Sequence, residues 1–122
     1  MKNYRLEDIK EGFRRMPDRI DETVNALQIG TNGSGHLVDT VEELAAQFES
    51  VHLLTADLPN MDESFLQQLV RLTEDTNRVL NVMLEAMAGD DIVLVTDLLQ
   101  YEVKPRMERW LQFLAGLEKS LN

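Results

Sequence analysis

The chain contains no cysteine. Disulfide bonds and thiolate metal sites are therefore excluded, and the composition agrees with a reducing cytoplasm, which is the location we expect. Proline and glycine are also scarce, with three and six residues among 122, and aromatic residues make up only 6% of the chain. Few chain breaks and an abundance of leucine favour helices over strands.

Long apolar runs are missing as well. The longest, from Ile92 to Val95, is far shorter than the roughly 20 residues that a membrane-spanning helix needs. Residues 1–15 are polar and mixed in charge, so we expect no signal peptide there and no membrane partner. The length suits one helical domain, 1–122, that buries a core of its own.

Basic residues are absent from one long stretch. Residues 20–70 contain nine acidic residues and no lysine or arginine, in a chain with a formal net charge of −10. Such a surface repels the phosphates of nucleic acid, so we predict no nucleic-acid partner. The acidic stretch could attract a basic protein, or it could serve only solubility, and the sequence leaves both interpretations open.

Basic side chains are grouped in two other places. Residues 1–19 carry six basic and four acidic groups. We expect this first segment to pack against the anionic second one, and the alternative is that it binds a partner. Later in the chain, four arginines alternate with acidic residues, which favours ion pairing within and between helices, for example between Glu102 and Arg106 at i, i+4. These four are Arg71, Arg78, Arg106 and Arg109.

The sequence does contain four apolar rows at helical spacing. Apolar residues recur every three or four positions, which is the pattern of one buried helix face. The rows run from Leu6 to Leu27, from Leu37 to Leu58, from Phe65 to Met87 and from Ile92 to Leu121. Gly30 to Gly35 predicts a loop between the first two. Because the later connections are short, we predict an all-α, up-down-up-down four-helix bundle.

Two prolines fall inside these apolar rows. Pro17 predicts a division of the first row into a helix of residues 4–15 and a second helix from Pro17 to Ile29, because proline interrupts the hydrogen bonding of a helix interior. The row keeps its phase across Pro17, which indicates a kink and not a reversal. Pro105 lies in the last row, where we expect a kinked continuous helix in which the carbonyl of Tyr101 loses its usual partner.

Capping residues predict the boundaries of the third and fourth helices. Asn60, followed three residues later by Glu63, resembles a capping box at the start of the third helix. Gly89 ends that helix, and either Asp90 or Asp91 caps the next one.

Motifs for catalysis and metal binding are incomplete. Glu49 and His52 form E-x-x-H, which is half of the di-iron pattern of helical bundles, but the other histidine, His36, has no glutamate at the matching position. The glycine-rich loop is not followed by the Lys-Ser/Thr pair of a phosphate-binding loop, and neither histidine accompanies a serine nucleophile in a recognisable motif. We therefore predict no enzymatic activity, no cofactor and no metal.

Residues 97–110 read D-L-L-Q-Y-E-V-K-P-R-M-E-R-W. This stretch resembles a D-L-L-x-Y-E-x-x-P-x-x-E-x-W motif of uncharacterised helical proteins of Gram-positive bacteria, and the Met16-Pro17 junction is similar too. The resemblance implies no activity. Tyr101, Glu102 and Trp110 would flank the kink at Pro105, where their polar groups need partners if buried or could bind another protein.

Three methionines have two possible roles. They could line an adaptable groove, because a thioether side chain fits varied surfaces, or they could fill the ends of the core. The predicted partner-binding residues are these three, Met83, Met87 and Met107, together with Tyr101, Glu102 and Trp110.

Some of the apolar rows are wider than a narrow seam, as at Phe65-Leu66, Leu69-Val70 and Leu98-Leu99, so an extra apolar face must meet a partner or a symmetric copy. We therefore predict a non-enzymatic adaptor or export-chaperone-like module that binds a helix of an unknown partner protein, or a second copy in a homodimer. One alternative is an acidic neutraliser of a basic target, such as an immunity protein or nucleic-acid mimic, whose binding would weaken with salt. A carboxylate-metal enzyme is the other alternative.

Overall fold

A computed structural model describes residues 2–30, 33–58 and 61–121, with side chains from Leu6 onward. These residues are all-helical and contain no strand. The elements are α1 (Lys2–Ile29), α2 (Gly33–Ala56), α3 (Glu63–Ala88), α4 (Ile92–Leu98), a π-helical segment (Leu99–Val103) and α5 (Lys104–Leu121). The last three follow one another without a gap and are called the C-terminal helix together, so the described part of the chain has four long helices.

The predicted division of the first helix at Pro17 is wrong, because α1 is one helix from Lys2 to Ile29. A proline inside a helix costs about 3 kcal/mol through its missing N–H and its clash with the preceding turn. On either side of Pro17, however, Met16 and Ile20 are buried with at most 1% of their surfaces exposed. Burial of the same apolar row on both sides of the proline favours a continuous helix, and a kink at Pro17 stays a prediction.

The loop after α1 is shorter than the predicted Gly30 to Gly35. Gly30 closes the helix with a positive φ of 75°, and its N–H donates to the carbonyl of Ala26 at 3.0 Å. α2 begins at Gly33, and Gly33 to Gly35 form part of its first turn. At its other end, α2 stops at Ala56, two residues before the predicted end at Leu58.

Carboxylates cap the starts of α3 and α4. The predicted cap Asn60 lies outside the described residues, and Asp62 caps α3 by accepting the N–H of Ser64 at 3.2 Å. The predicted end of α3 at Gly89 is confirmed. Of the two predicted caps of the next helix, Asp91 is the one that acts, since its Oδ1 accepts the N–H of Leu94 at 3.1 Å.

The helices approach one another unequally. α1 lies beside α2 and the C-terminal helix, and α3 lies beside the C-terminal helix. Among the described residues, no Cα atom of α2 comes within 8 Å of one in α3 or in the C-terminal helix. The contacts between α1 and α2 run antiparallel, with Thr23 beside Thr40 and Phe13 beside Phe48.

One indole connects all four helices. Trp110 of α5 is 1% exposed, and its ring centroid lies 6.0 Å from that of Phe13 in α1 and 5.4 Å from that of Phe48 in α2. Its Nε1–H donates to Oγ1 of Thr76 in α3 at 3.0 Å, which satisfies the polar group of the buried ring. The core is therefore continuous across the helices although their backbones are unevenly spaced.

Candidate functional site

The C-terminal helix widens into a π turn just before Pro105. At its end the N–H of Lys104 donates to the carbonyl of Leu99, five residues back instead of four. Single π turns inside α-helices occur often at functional sites. The predicted continuity of the helix across Pro105 is confirmed. The π turn was not predicted.

A signal for the π turn is present in the sequence. The buried residues Val95, Leu99, Val103 and Met107 are spaced by four three times in succession. In a regular α-helix each spacing of four rotates the side chain by about 40°, so these residues would leave the core-facing side. A π turn has more residues per turn and keeps them on one side.

Arg106 joins the π segment to α3. Its guanidinium donates to the backbone carbonyl of Glu102 at 2.8 Å and to the Glu102 carboxylate at 3.1 Å, which confirms the predicted i, i+4 pair. The same side chain, 13% exposed, also binds Asp75 of α3 through two bonds, from Nε to Oδ2 at 2.8 Å and from Nη2 to Oδ1 at 3.1 Å. Bidentate pairs of this kind fix orientation as well as adding energy.

Asp75 is the centre of a network of arginines. Besides Arg106, it meets Arg78 at 3.2 Å and Arg109 at 3.5 Å. The hydrogen bonds from Arg106 lower the pKa of Asp75 below its ordinary value of 3.8, although burial of the carboxylate acts in the opposite direction. The same bonds raise the pKa of Arg106. Asp75 is therefore ionised at neutral pH, with its oxygens already accepting hydrogen bonds.

The six predicted partner-binding residues divide into core and surface. Tyr101 is 69% exposed, and Glu102 and Met87 are half-buried. Met83, Met107 and Trp110 are at most 1% exposed, because they fill the core between the helices. A partner that binds the folded protein can therefore meet Tyr101 and Glu102. Met83 and Met107 occupy core positions, which is the second of the two roles considered for the methionines.

A cleft of about 410 Å³ lies between α3 and α5. We call it the arginine cleft, and it is lined by Gln68, Arg71, Leu72, Asp75, Arg109, Gln112 and Phe113. The four α3 residues are spaced i, i+3, i+4 and i+7, so they share one side of that helix. The sequence predicted ion pairing for these arginines but did not predict the cleft, because the spacing of residues within one helix does not reveal which helix lies opposite.

A second surface, between α2 and α3, exposes apolar side chains. We call it the open face, and its exposed members are Val38 and Ala45 of α2 and Leu66, Val70 and Leu84 of α3. The four larger ones are 46–53% exposed. Half-buried Val41 and Leu80 lie deeper on the same sides of the two helices. The side chain of exposed His52 meets that of half-buried Thr73 across this face at 3.5 Å.

The E-x-x-H pair lies on the surface of α2, where both Glu49 and His52 are exposed. Among the residues that the structure describes, no three His, Asp or Glu side chains are grouped so that they could hold a metal ion. The described helices also include none that is both long and apolar enough to cross a bilayer.

Comparison with known proteins places the chain in a family. The chain belongs to the family described as "Domain of unknown function (DUF8042)", whose model matches residues 5–113. The match includes the motif of residues 97–110 and all of the arginine cleft, and it is consistent with the resemblance to an uncharacterised family. No curated protein and no solved structure matches the chain.

Proposed function

We propose that this domain is a non-enzymatic protein–protein interaction module that binds an amphipathic helix of a partner protein along the open face. The observation that supports the proposal is the unequal environment of α2. Its backbone packs against α1 but stays more than 8 Å from α3 in every described Cα pair, while apolar side chains of both helices remain accessible. Accessible apolar surface between two helices whose backbones lie apart is a common site for a third helix.

We infer that the four helices form an up-down-up-down bundle that is open along the edge between α2 and α3. The chain directions of the contacts support this arrangement. Thr23 beside Thr40 and Phe13 beside Phe48 make α1 antiparallel to α2. Lys10 beside Glu118 and Phe13 beside Trp110 make α1 antiparallel to α5. Phe65 beside Phe113 and Thr76 beside Trp110 make α3 antiparallel to α5.

The side chains of the open face are arranged in rows that suit a helix as occupant. Val38 and Ala45 are seven residues apart on α2, as are Leu66 and Thr73 on α3, so each pair lies along one side of its helix. Two facing rows form a linear groove, and a helix with apolar residues at i, i+3, i+4 and i+7 presents the matching ridge.

The charge beside the groove indicates the character of the partner. Glu42 and Glu49 on α2, and Glu63 and Glu74 on α3, are exposed next to the apolar rows. Residues 20–70, which include Glu42, Glu49 and Glu63, contain no lysine or arginine. We therefore infer that the partner helix carries lysine or arginine on the flanks of its apolar stripe.

Binding of designed helices tests this proposal. The probe is a fluorescein-labelled helical peptide with a leucine stripe and lysine flanks, compared with the same peptide carrying glutamate flanks. We expect the lysine peptide to bind, and Leu66→Ser with Leu84→Ser to weaken it about tenfold or more, since each fully buried leucine contributes about 1.5–3 kcal/mol. Fluorescence anisotropy gives the dissociation constants.

Val82→Ser is the matched control. Val82 is 44% exposed, close to the 48% of Leu84, but it lies two residues from Leu84 and so on the opposite side of α3. An equal loss in the Val82→Ser variant would contradict the proposed site. Binding that survives the Leu66 and Leu84 substitutions but disappears at high salt would instead favour the acidic neutraliser, for which the stretch without basic residues is the specific observation. Sedimentation of the free protein tests the homodimer.

We also infer a cytoplasmic location in a Gram-positive bacterium, which the absence of cysteine and the motif of residues 97–110 support. Metal analysis of the purified protein tests the remaining alternative, a carboxylate-metal enzyme, since a stoichiometric divalent ion would argue against an interaction module without metal.

A further inference from the structure

We propose that the arginine cleft binds a carboxylate attached to an apolar group, supplied either by a small organic acid or by the free C-terminus of a peptide. The cleft lies on a different side of α3 from the open face, so this inference does not depend on the proposed helix-binding function. Its volume of about 410 Å³ falls within the range of about 300–1,000 Å³ that is typical of small-molecule pockets.

The guanidinium groups of Arg71 and Arg109 are available to a ligand. Oδ2 of Asp75 is already bound by Nε of Arg106 at 2.8 Å, and Arg109 meets the same oxygen only at 3.5 Å. The Arg109 side chain is 56% exposed, so most of its donors face solvent. Arg71 is exposed as well and makes no ion pair within the described part of the chain.

The local charge has the opposite sign to that of the whole protein. The lining of the cleft contains two arginines, Arg71 and Arg109, and one acid, Asp75, so its formal charge is +1. The complete chain has a net charge of −10. An anionic ligand is therefore repelled by most of the surface and attracted to this cleft.

The floor and the rim of the cleft indicate which anion it suits. Phe113 is 3% exposed and packs edge-on against Trp110, with ring centroids 6.2 Å apart, and half-buried Leu72 lies beside it. This apolar floor can accept a hydrocarbon group. Arginine binds a planar carboxylate with two parallel hydrogen bonds, and the amides of Gln68 and Gln112 supply further donors at the rim.

Titration with matched acids and amides tests the proposal. The probes are 4-phenylbutyrate, a blocked tetrapeptide ending in a free leucine carboxylate, the amide of each, and inorganic phosphate. Because Trp110 is the only tryptophan and contacts Phe113, its fluorescence reports on occupation of the cleft. We expect at least one acid to bind saturably at millimolar or lower concentration, and the corresponding amide to bind about tenfold more weakly.

Single-arginine variants locate the binding site. Arg71→Gln and Arg109→Gln should each weaken the bound acid about tenfold, because each removes a charge-assisted donor. Arg14→Gln on α1 is the matched control, with an exposed guanidinium that pairs only with a neighbouring glutamate, and it should change the dissociation constant less than about twofold. Circular dichroism verifies that each variant is folded, and the Arg71 variant suffices if the Arg109 variant is not.

The comparison of the two acids identifies the source of the carboxylate. Tighter binding of 4-phenylbutyrate indicates a small organic acid, and tighter binding of the tetrapeptide indicates a protein C-terminus. Absence of saturable binding by either acid would overturn the proposal. So would equal affinity for acid and amide, equal affinity for inorganic phosphate, or an equal loss in the Arg14→Gln variant.

Discussion

α2 packs closely against α1 and loosely against α3. Towards α1 it is tightly packed: the hydroxyls of Thr23 and Thr40 meet at 2.6 Å in a buried position, and Arg19 pairs with Glu43 at 3.0 Å, in line with the predicted contact between the basic first segment and the acidic second one. Towards α3, the side chains of His52 and Thr73 meet at 3.5 Å in an exposed contact. Sequence neighbours joined by a short connection are therefore not the closest neighbours in space.

α3 is held from its other side. Thr76 binds Trp110 at 3.0 Å and Asp75 binds Arg106 through two bonds, both on the C-terminal helix. The described helices thus form two antiparallel pairs, α1 with α2 and α3 with the C-terminal helix. Contacts between α1 and the C-terminal helix join the pairs, among them Lys10 with Glu118 at 2.8 Å and Lys104 with Asp21 at 2.7 Å. We therefore expect the same kind of substitution to lower the free energy of unfolding more on the packed side of α2 than on the side that faces α3.

The largest difference is expected for leucine to alanine. Leu44→Ala, at a position 1% exposed, should lower the free energy of unfolding by about 2–5 kcal/mol through lost burial and a cavity. Leu84→Ala, at a position 48% exposed on the open face, should change it by about 0.5 kcal/mol or less. Urea unfolding of both variants makes the measurement. Similar losses would show that the open face is closed in solution.

Asp75→Asn tests how firmly the C-terminal helix holds α3. The substitution removes the carboxylate that the partly buried Arg106 binds on α3 and leaves it with Glu102, so we expect a loss of about 2 kcal/mol at pH 7. The pKa of Asp75 is lowered in the folded state, so its contribution is complete above the unfolded pKa near 3.8 and disappears as the pH falls through the lower folded value. The difference between wild type and variant should therefore shrink only below about pH 4. A difference that is constant down to pH 2 would contradict this role.

Threonine to valine gives a smaller but closely matched pair. Thr23→Val leaves the hydroxyl of Thr40 buried without its partner and should cost about 1–2 kcal/mol. Adding Thr40→Val should recover most of that loss, because both polar groups are then removed. Thr73→Val, on the exposed bond to His52, should have almost no effect. Thermal unfolding ranks the three variants, and a larger loss for Thr73→Val than for Thr23→Val would reverse the comparison.

The smallest effect is expected at Gly12, where α1 approaches α2. A Cβ atom added at Gly12 would overlap the side-chain amide of Gln47, which is flexible and can move away. Alanine in place of a helical glycine stabilises a helix by about 1 kcal/mol. Because displacement of the Gln47 side chain offsets this gain, Gly12→Ala alone should be nearly neutral. Relative to the single variant Gln47→Ala, Gly12→Ala with Gln47→Ala should be stabilised by about 1 kcal/mol. A large loss in the double variant would show that the backbones themselves limit the approach of the helices.

The sequence predicted those features that depend on local chemistry. Gly89 ended α3 and Asp91 capped α4 as expected, because a chain-terminating glycine and a capping carboxylate act within a few residues. Exposed apolar surface is visible in two of the three pairs that suggested a surplus, whereas Leu98 is half-buried and Leu99 is buried. Leu66 and Val70 are 46% and 53% exposed, whereas their neighbour Leu69 is buried.

Features that depend on tertiary packing were not predictable in the same way. Pro17 has a strong local preference against a helix interior, and burial of the residues on either side outweighs it. The role of Arg106 required knowledge of which residue of α3 lies opposite, and apolar spacing alone does not fix the distance between helices. The open face and the arginine cleft are both consequences of such distances.

α3 separates two surfaces of opposite electrostatic sign by the width of a single helix, about 10 Å. That distance is close to the Debye length at physiological ionic strength, so charges on the two sides are only partly screened from each other. A cationic helix on one side and a carboxylate on the other would attract through α3. Each should then bind slightly more tightly in the presence of the other, as thermodynamic reciprocity requires, and this cooperativity should fade as salt is added.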